Sequence, residues 1–129
     1  MSTHDGIDFS KLPGLIAFKD KEGHFLWAND EAVNTAGFNN FSQLAGKTDY
    51  DESVSWHKGA AEYRKLEIEV MEAGHPRARV EIASKNGIAT RFLTYKTPLR
   101  DSNGDVAGVM LVSLEVSEEL LNQLNDALK

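Results

Sequence analysis

The 129-residue sequence predicts a single α+β domain in which two early strands and three late strands flank a helical middle. Two short β-favouring runs, Leu15–Lys19 and His24–Ala28, lie on either side of a polar turn. Apolar residues then recur at three- and four-residue steps from Trp56 to Ala73, and alternating runs follow from Arg77 to Val116. A chain of this length can bury one hydrophobic core without disulfides.

The first two strands form a hairpin, because Asp20-Lys21-Glu22-Gly23 between them suits a tight reversal. Asn29 is a predicted helix N-cap, since two acidic residues follow it in the first turn, and Gly37 favours a left-handed stop. Residues 39–55 are rich in Asn, Ser, Asp and Gly, which predicts short helical turns and loops anchored by Leu44 and Tyr50.

The longest predicted helix runs from Trp56 to Ala73. Tyr63, Leu66, Val70 and Ala73 form its apolar stripe, with acidic and basic residues between them. Gly74 and Pro76 end it, because glycine accepts a left-handed cap and proline cannot extend a helix.

Three antiparallel strands are predicted next, over Arg77–Ser84, Ile88–Leu99 and Val106–Val116, with turns at Asn86-Gly87 and Asn103-Gly104. In the last strand the residues of both parities are apolar, which indicates that both faces of the sheet are covered. Helices of the middle segment cover one face, and the other needs a terminal helix or a second subunit.

The two ends flank the domain, with predicted divisions at 1–14, 15–116 and 117–129. Ile7, Phe9 and Leu12 favour a short amphipathic cap at the N-terminus. Ser117 and the acids after it begin a C-terminal helix, in which Leu121, Leu124 and Leu128 follow the a/d step of a coiled coil.

Composition narrows the function. There are 14 Lys and Arg residues against 20 Asp and Glu, a formal charge of −6, so we expect no direct contact with nucleic acid. The sequence has no long apolar run and no signal peptide, so we expect a cytoplasmic protein without membrane contact. It has no cysteine, which excludes thiolate nucleophiles and thiolate metal sites.

Several stretches in this order resemble one family, the PAS domain. They are Leu12–Ile16 before the first strand, Asp20–Gly23 in the first turn, Trp27–Asp30 at the first helix, the Gly-Lys-Thr-Asp stretch within Gly46–Asp51, and Lys96–Asp101. The Gly-Lys-Thr-Asp stretch is similar to that of one bacterial sensory subfamily. One departure is Glu115-Val116-Ser117, where the family usually carries Asp-Ile-Thr.

The resemblance implies a PAS-like five-stranded antiparallel sheet with helices across one face and a C-terminal helix. It also implies a bacterial sensory domain that binds a small molecule and relays the change through Glu115 and Ser117 to an output domain, such as a histidine kinase, cyclase or transcription factor. The alternative is a ligand-free module for homodimerisation or protein interaction.

The resemblance leaves the cofactor unknown. Members that react with flavin or carry a covalent chromophore need a cysteine, which this chain lacks. Haem-binding members place a histidine on or near the long helix, but His57 at a helix start is more typical of a partly exposed side chain than of a haem ligand.

Candidate pocket residues are aromatic or polar side chains on the elements that would enclose a chamber between helices and sheet. They are Phe18, Tyr50, Trp56, Tyr63, Leu66, Arg91, Thr94, Tyr95 and Ser113. Because strand side chains alternate between faces, about half of the strand residues in this set should point away from the chamber.

No catalytic or metal motif is present, so we expect neither an enzyme nor a metal site. The histidines are scattered. Asp49 and Asp51 resemble a carboxylate pair for a divalent cation, but capping of a short helix by Thr48 or Asp49 explains the same residues and is the favoured interpretation.

Overall fold

The computed structural model describes residues 3–4, 7–8 and 13–127. Near the N-terminus, β1 (Thr3–His4) pairs antiparallel with β2 (Ile7–Asp8). The remaining elements are β3 (Leu15–Asp20), β4 (Phe25–Ala28), α1 (Asp30–Ala36), α2 (Ala60–Ala73), β5 (Arg77–Lys85), β6 (Ile88–Arg100), β7 (Val106–Glu115) and α3 (Glu118–Ala127), with single 3₁₀ turns at Phe41–Gln43 and His57–Gly59.

The strands from β3 to β7 form one five-stranded antiparallel sheet in the order β4-β3-β7-β6-β5. The last strand therefore lies in the middle, between the first hairpin and β6. Ala17 of β3 lies opposite Leu111 of β7, and Ser113 lies opposite Thr94 of β6. The predicted fold class, an open antiparallel sheet with helices and a C-terminal helix, is confirmed.

Asn29 caps α1 as predicted and also joins it to the sheet. Its Oδ1 accepts hydrogen bonds from the backbone N–H groups of Ala32 and Ile16, each at 3.1 Å, and its Nδ2 donates to the carbonyl of Gly14 at 2.8 Å. The predicted stops at Gly37 and Gly74 are both left-handed, with φ of 103° and 73°.

The long helix is shorter than predicted. It begins at Ala60, and His57–Gly59 before it is a 3₁₀ turn. The Tyr63 ring lies so close to Gly59 that a Cβ there would clash with it. This contact shapes the turn, and the spacing of hydrophobic residues in the sequence cannot predict it. Leu44 is buried as predicted, but Tyr50 is 57% exposed and anchors nothing in the core.

The two faces of the sheet differ. Helix α2 packs against β6 and β7, and α1 packs against β3, which defines the inner face. On the outer face, Val80, Ile82, Tyr95 and Leu114 are exposed apolar side chains. Phe9, Leu12, Leu128 and the Leu124 side chain lie outside the described residues, so the predicted N-terminal cap and leucine seam stay predictions.

None of the helices in the described part of the chain combines the length and apolar character that a bilayer span requires. The cytoplasmic location and the domain divisions at 14 and 116 stay predictions.

Candidate functional site

A cavity lies between the inner face of the sheet and the helical segments. The cavity volume is about 50 Å³, which is room for a few water molecules. Its walls are Leu15, Ala17, Lys19, Phe25, Ala32, Asp49, Trp56, Tyr63, Glu81, Ala83, Phe92, Thr94, Lys96, Leu111 and Ser113.

Strand alternation builds the floor of this cavity. Strand β6 directs Phe92, Thr94 and Lys96 inward, and alternate residues from parts of β3, β5 and β7 join them. The Thr94 and Ser113 hydroxyls lie 2.8 Å apart and hydrogen-bond to each other. The floor therefore carries apolar groups, hydroxyls and charged groups side by side.

A buried ionic cluster forms one end of the cavity. Lys19 Nζ lies 2.5 Å from Asp49 Oδ2 and 2.6 Å from Glu67 Oε2, and all three side chains are almost fully buried. Trp56 Nε1 donates to Asp49 Oδ1 at 2.7 Å, and the Lys19 ammonium lies 4.7 Å from the centre of the Phe25 ring. Each charge in this part of the cluster has a close partner, as a buried ion pair requires.

Lys96 and Glu81 are paired less closely. Lys96 Nζ donates to the carbonyl of Tyr63 at 3.0 Å but lies 3.7 Å from both Glu67 Oε2 and Glu81 Oε2. Glu81 Oε2 is buried and, among the described residues, has no hydrogen-bond partner. Most buried polar atoms in folded proteins have one, so this oxygen is an exception that needs an explanation.

The pKa shifts also separate the closely paired Lys19 from the less closely paired Lys96 and Glu81. Burial alone would lower the pKa of Lys19, but the carboxylates of Asp49 and Glu67 outweigh it and raise that pKa above its ordinary value. Burial and the charge of Lys19 lower the pKa of Lys96, and nearby carboxylates offset this only in part. Burial raises the pKa of Glu81 despite Lys96, and it raises the pKa of Tyr63 to about 12, assisted by Glu81.

Comparison with known proteins decides the family. Residues 9–120 match a family model described as the PAS fold. The chain belongs to the PAS fold family. None of the curated proteins matches it. Membership in the subfamily with the Gly-Lys-Thr-Asp stretch stays a prediction.

Among solved structures, this PAS domain is similar to the Vibrio cholerae VqmA dimer, described as a LuxR-type receptor, with 26% identity, a TM-score of 0.80, and coverage of 90% of this chain and 53% of that one. VqmA bound to DPO is 28% identical, with a TM-score of 0.78 and coverage of 84% and 55%. The PAS domain of Bordetella pertussis BvgS shares the fold at 24% identity, with a TM-score of 0.58 and coverage of 92% and 89%. The chain spans about half the length of the VqmA chains.

The expectation that excluded nucleic acid is wrong. One VqmA structure, without its target DNA, is described as informing the DNA-binding mechanisms of LuxR-type receptors, and another is a complex of VqmA with a ligand and DNA. The exclusion used the charge of −6, which describes this chain alone. Since the chain spans about half of VqmA, the charge of one PAS domain is no ground for excluding DNA from the whole protein.

Four of the nine predicted pocket residues line the cavity of this PAS domain: Trp56, Tyr63, Thr94 and Ser113. Leu66 is fully buried but packs with Val70 and Val109 in a neighbouring cluster. Whether the four bind a ligand stays a prediction.

The other four predicted residues do not line this cavity. Phe18 and Arg91 alternate with inward residues of β3 and β6 and so point to the outer face, where Phe18 packs on Trp27 with ring centres 5.2 Å apart. Tyr95 lies on the same outer face for the same reason. Tyr50 projects from the surface of a loop.

Four charged residues at the cavity, Lys19, Glu67, Glu81 and Lys96, were not among the predicted pocket residues. Strand parity was the available signal, because Lys19 shares a face with Leu15 and Ala17. Charged side chains are seldom fully buried, so their residue type alone suggests an exposed position. Of the two residues offered for local capping, Thr48 accepts a hydrogen bond from the backbone N–H of Tyr50 at 3.3 Å, whereas the Asp49 carboxylate is bound by Lys19 and Trp56.

His57 and the relay residues lie outside the cavity walls. His57 Nδ1 is 2.9 Å from the carbonyl of Val54. Glu115 Oε2 accepts a hydrogen bond from Lys85 Nζ at 2.6 Å, and Ser117 Oγ caps α3 by accepting one from the N–H of Leu120 at 3.0 Å. The predicted cap of the C-terminal helix is confirmed, and the relay role stays a prediction.

Proposed function

We propose that this PAS domain is the sensory part of a bacterial signalling protein and that it binds a small molecule in the cavity between α2 and the sheet. The observation that carries the proposal is the cavity itself, since its floor includes buried hydroxyl and charged groups rather than only close-packed apolar side chains. Binding sites for small molecules typically combine apolar walls with a few placed polar groups.

The similarity to VqmA supports this proposal. VqmA bound to DPO is similar to this chain over 84% of its length, and VqmA is described as a DNA-binding receptor of the LuxR type. We therefore include a DNA-binding regulator among the proteins to which this domain can belong, together with sensor kinases. A non-catalytic role is part of the proposal, because the charged groups of the cavity mainly neutralise one another.

The relay runs along β7. Leu111 and Ser113 line the cavity, Glu115 ends the strand, and Ser117 begins α3. A ligand that displaces the floor near Ser113 would therefore displace the start of α3. The ligand changes the output only if it binds one position of α3 more tightly than another.

The test is native mass spectrometry of the freshly purified chain, together with a thermal-shift screen of neutral, cationic and anionic metabolites. We expect a bound small molecule or a clear rise in melting temperature with at least one compound, because ligands that bind the folded state stabilise it. A ligand-free mass with no stabilisation by any compound would contradict the proposal.

A second candidate, a ligand-free dimerisation module, is favoured by the exposed apolar side chains of the outer face. Val80, Ile82, Tyr95 and Leu114 offer a surface that a partner chain would bury. Light scattering at high micromolar concentration tests it. A monomeric mass would remove its support.

A further inference from the structure

We infer that the cavity selects a compact, uncharged molecule that donates an N–H or O–H hydrogen bond to Glu81 Oε2, and that it rejects organic anions. The inference rests on the proposed function, because it names the chemical class of ligand for the same cavity. It is carried by one unpartnered acceptor, by the balance of charges around it, and by the apolar walls.

The acceptor is Glu81 Oε2. The Glu81 side chain is only 9% exposed, and although the Thr94 hydroxyl lies close to its carboxyl group, none of the described residues hydrogen-bonds to Oε2. The nearest ammonium, Lys96 Nζ, stays 3.7 Å away and donates instead to a backbone carbonyl. A ligand with a donor would give this oxygen the hydrogen bond it lacks. A ligand without a donor would keep water from the oxygen and replace it with nothing, which weakens binding.

The surrounding charges already balance. Lys19, Lys96 and Arg64 supply three positive groups, and Asp49, Glu67 and Glu81 supply three carboxylates. Arg64 completes the set from the rim, 3.2 Å from Glu67 Oε1. A charged ligand would add an uncompensated charge to a buried site. A carboxylate would in addition face the unpartnered oxygen of Glu81, so anions are the worst fit.

The rest of the cavity suits an apolar ring or short chain. Phe25, Phe92 and Leu111 form apolar walls. The Thr94 and Ser113 hydroxyls and the Lys96 ammonium are donors within the same lining. A small molecule with one donor and one acceptor on an apolar frame therefore matches the lining, and its apolar surface lets it compete with water for the Glu81 oxygen.

Three probes of similar size separate these properties. 2-Pyridone is neutral and carries an N–H donor beside a carbonyl acceptor, 1-methyl-2-pyridone lacks the donor, and pyridine-2-carboxylate is an anion. Isothermal titration calorimetry would measure each against the wild-type chain, Glu81→Gln and the control Glu62→Gln, which alters an exposed carboxylate on α2.

We expect 2-pyridone to bind wild type about tenfold more tightly than its methylated form, since the cost of an unsatisfied buried acceptor is of that order. Pyridine-2-carboxylate should bind most weakly. In Glu81→Gln the preference for the donor should fall to about threefold or less, because an amide also offers a donor. Glu62→Gln should behave as wild type.

Equal binding of the two pyridones to wild type, or tighter binding of the anion, would overturn the inference. Glu81→Asp, which keeps the carboxylate, should keep the donor preference and decides the matter if Glu81→Gln does not fold. Should the pyridones fail while a charged metabolite from the screen binds, the inference falls and the proposed function stands. Should no compound of any class bind, both fall.

Discussion

At the scale of single residues, Lys19 is the most consequential charge in the domain. Its ammonium neutralises two buried carboxylates at 2.5 and 2.6 Å. Lys19→Met keeps the length of the side chain but leaves Asp49 and Glu67 without their partner, so we expect the free energy of unfolding to fall by about 3–5 kcal/mol. Urea denaturation measures it.

The control for that substitution is Lys47→Met. Lys47 forms a surface ion pair with Asp51 at 3.5 Å, and such exposed pairs contribute little to stability. A loss in Lys19→Met no larger than the loss in this control would contradict the role assigned to the buried cluster.

Glu81 predicts a pH-dependent stability. Burial raises its pKa in the folded state above 4.5, although Lys96 opposes the shift. The folded state therefore holds this proton more tightly than the unfolded state, and the stability it contributes is present below about pH 4.5 and is lost as pH rises through the folded-state pKa. Glu81→Gln is neutral throughout, so its stability relative to wild type should increase as pH rises through the folded-state pKa of Glu81.

Unfolding by urea at pH 4.5, 6 and 8 checks this, with Glu62→Gln as a variant whose difference from wild type should stay constant. Lys96, Thr94, Lys19, Asp49 and Tyr63 act on Glu81 and are the same in wild type and Glu81→Gln. A stability of Glu81→Gln that falls relative to wild type as pH rises would contradict a raised pKa for Glu81. The expected result also means that the carboxylate is kept at a cost in stability, as residues at binding sites often are.

The sequence predicted the position of a side chain where the strand was identified and its residues were assigned to the correct faces of the sheet. Thr94 and Ser113 were found on the correct face, but Tyr95 and Arg91 were chosen for their chemistry although they alternate with Thr94. Burial of Lys19 and Lys96 required knowing that Asp49 and Glu67, 30 and 48 residues beyond Lys19, would meet it. No local pattern supplies that pairing.

At the scale of elements, Asn29 joins helix α1 to strand β3. Its side chain caps the helix and also satisfies the N–H of Ile16 and the carbonyl of Gly14. Asn29→Ala would remove the cap and leave two backbone groups unpaired, so we expect a loss of about 3 kcal/mol in the free energy of unfolding.

Asn34→Ala is the matched control, since Asn34 is an exposed residue of the same helix. Alanine is a better helix former than asparagine, so this variant should be neutral or slightly more stable in urea denaturation. A cost in Asn29→Ala within about 1 kcal/mol of the control would show that the cap acts on the helix alone.

Most elements could be predicted because their signals are local. Turn residues, alternation and helix stops gave five strands of the sheet, α1, α2 and the start of α3. The first residues of α2 were predicted wrongly because the packing of Tyr63 over Gly59 is a contact between side chain and backbone that hydrophobic spacing cannot reveal.

At the scale of the whole molecule, the order of the strands creates the cavity. Strand β7 lies in the middle of the sheet, so residues from β3, β5, β6 and β7 converge beneath α2. Turn residues predicted the antiparallel hairpins, whereas the single five-stranded sheet was predicted from the family resemblance. The charged lining of the cavity follows only once the strands are paired.

The central claim is that a small molecule occupies this cavity. Ala83→Phe would fill it from β5, whereas Val80→Phe adds a ring of the same size to the outer face of the same strand. The most direct measurement is calorimetric titration of both variants and wild type with the most stabilising compound of the screen. We predict that Ala83→Phe loses about tenfold or more in affinity while Val80→Phe stays within about twofold of wild type; equal affinities in all three proteins would contradict the account.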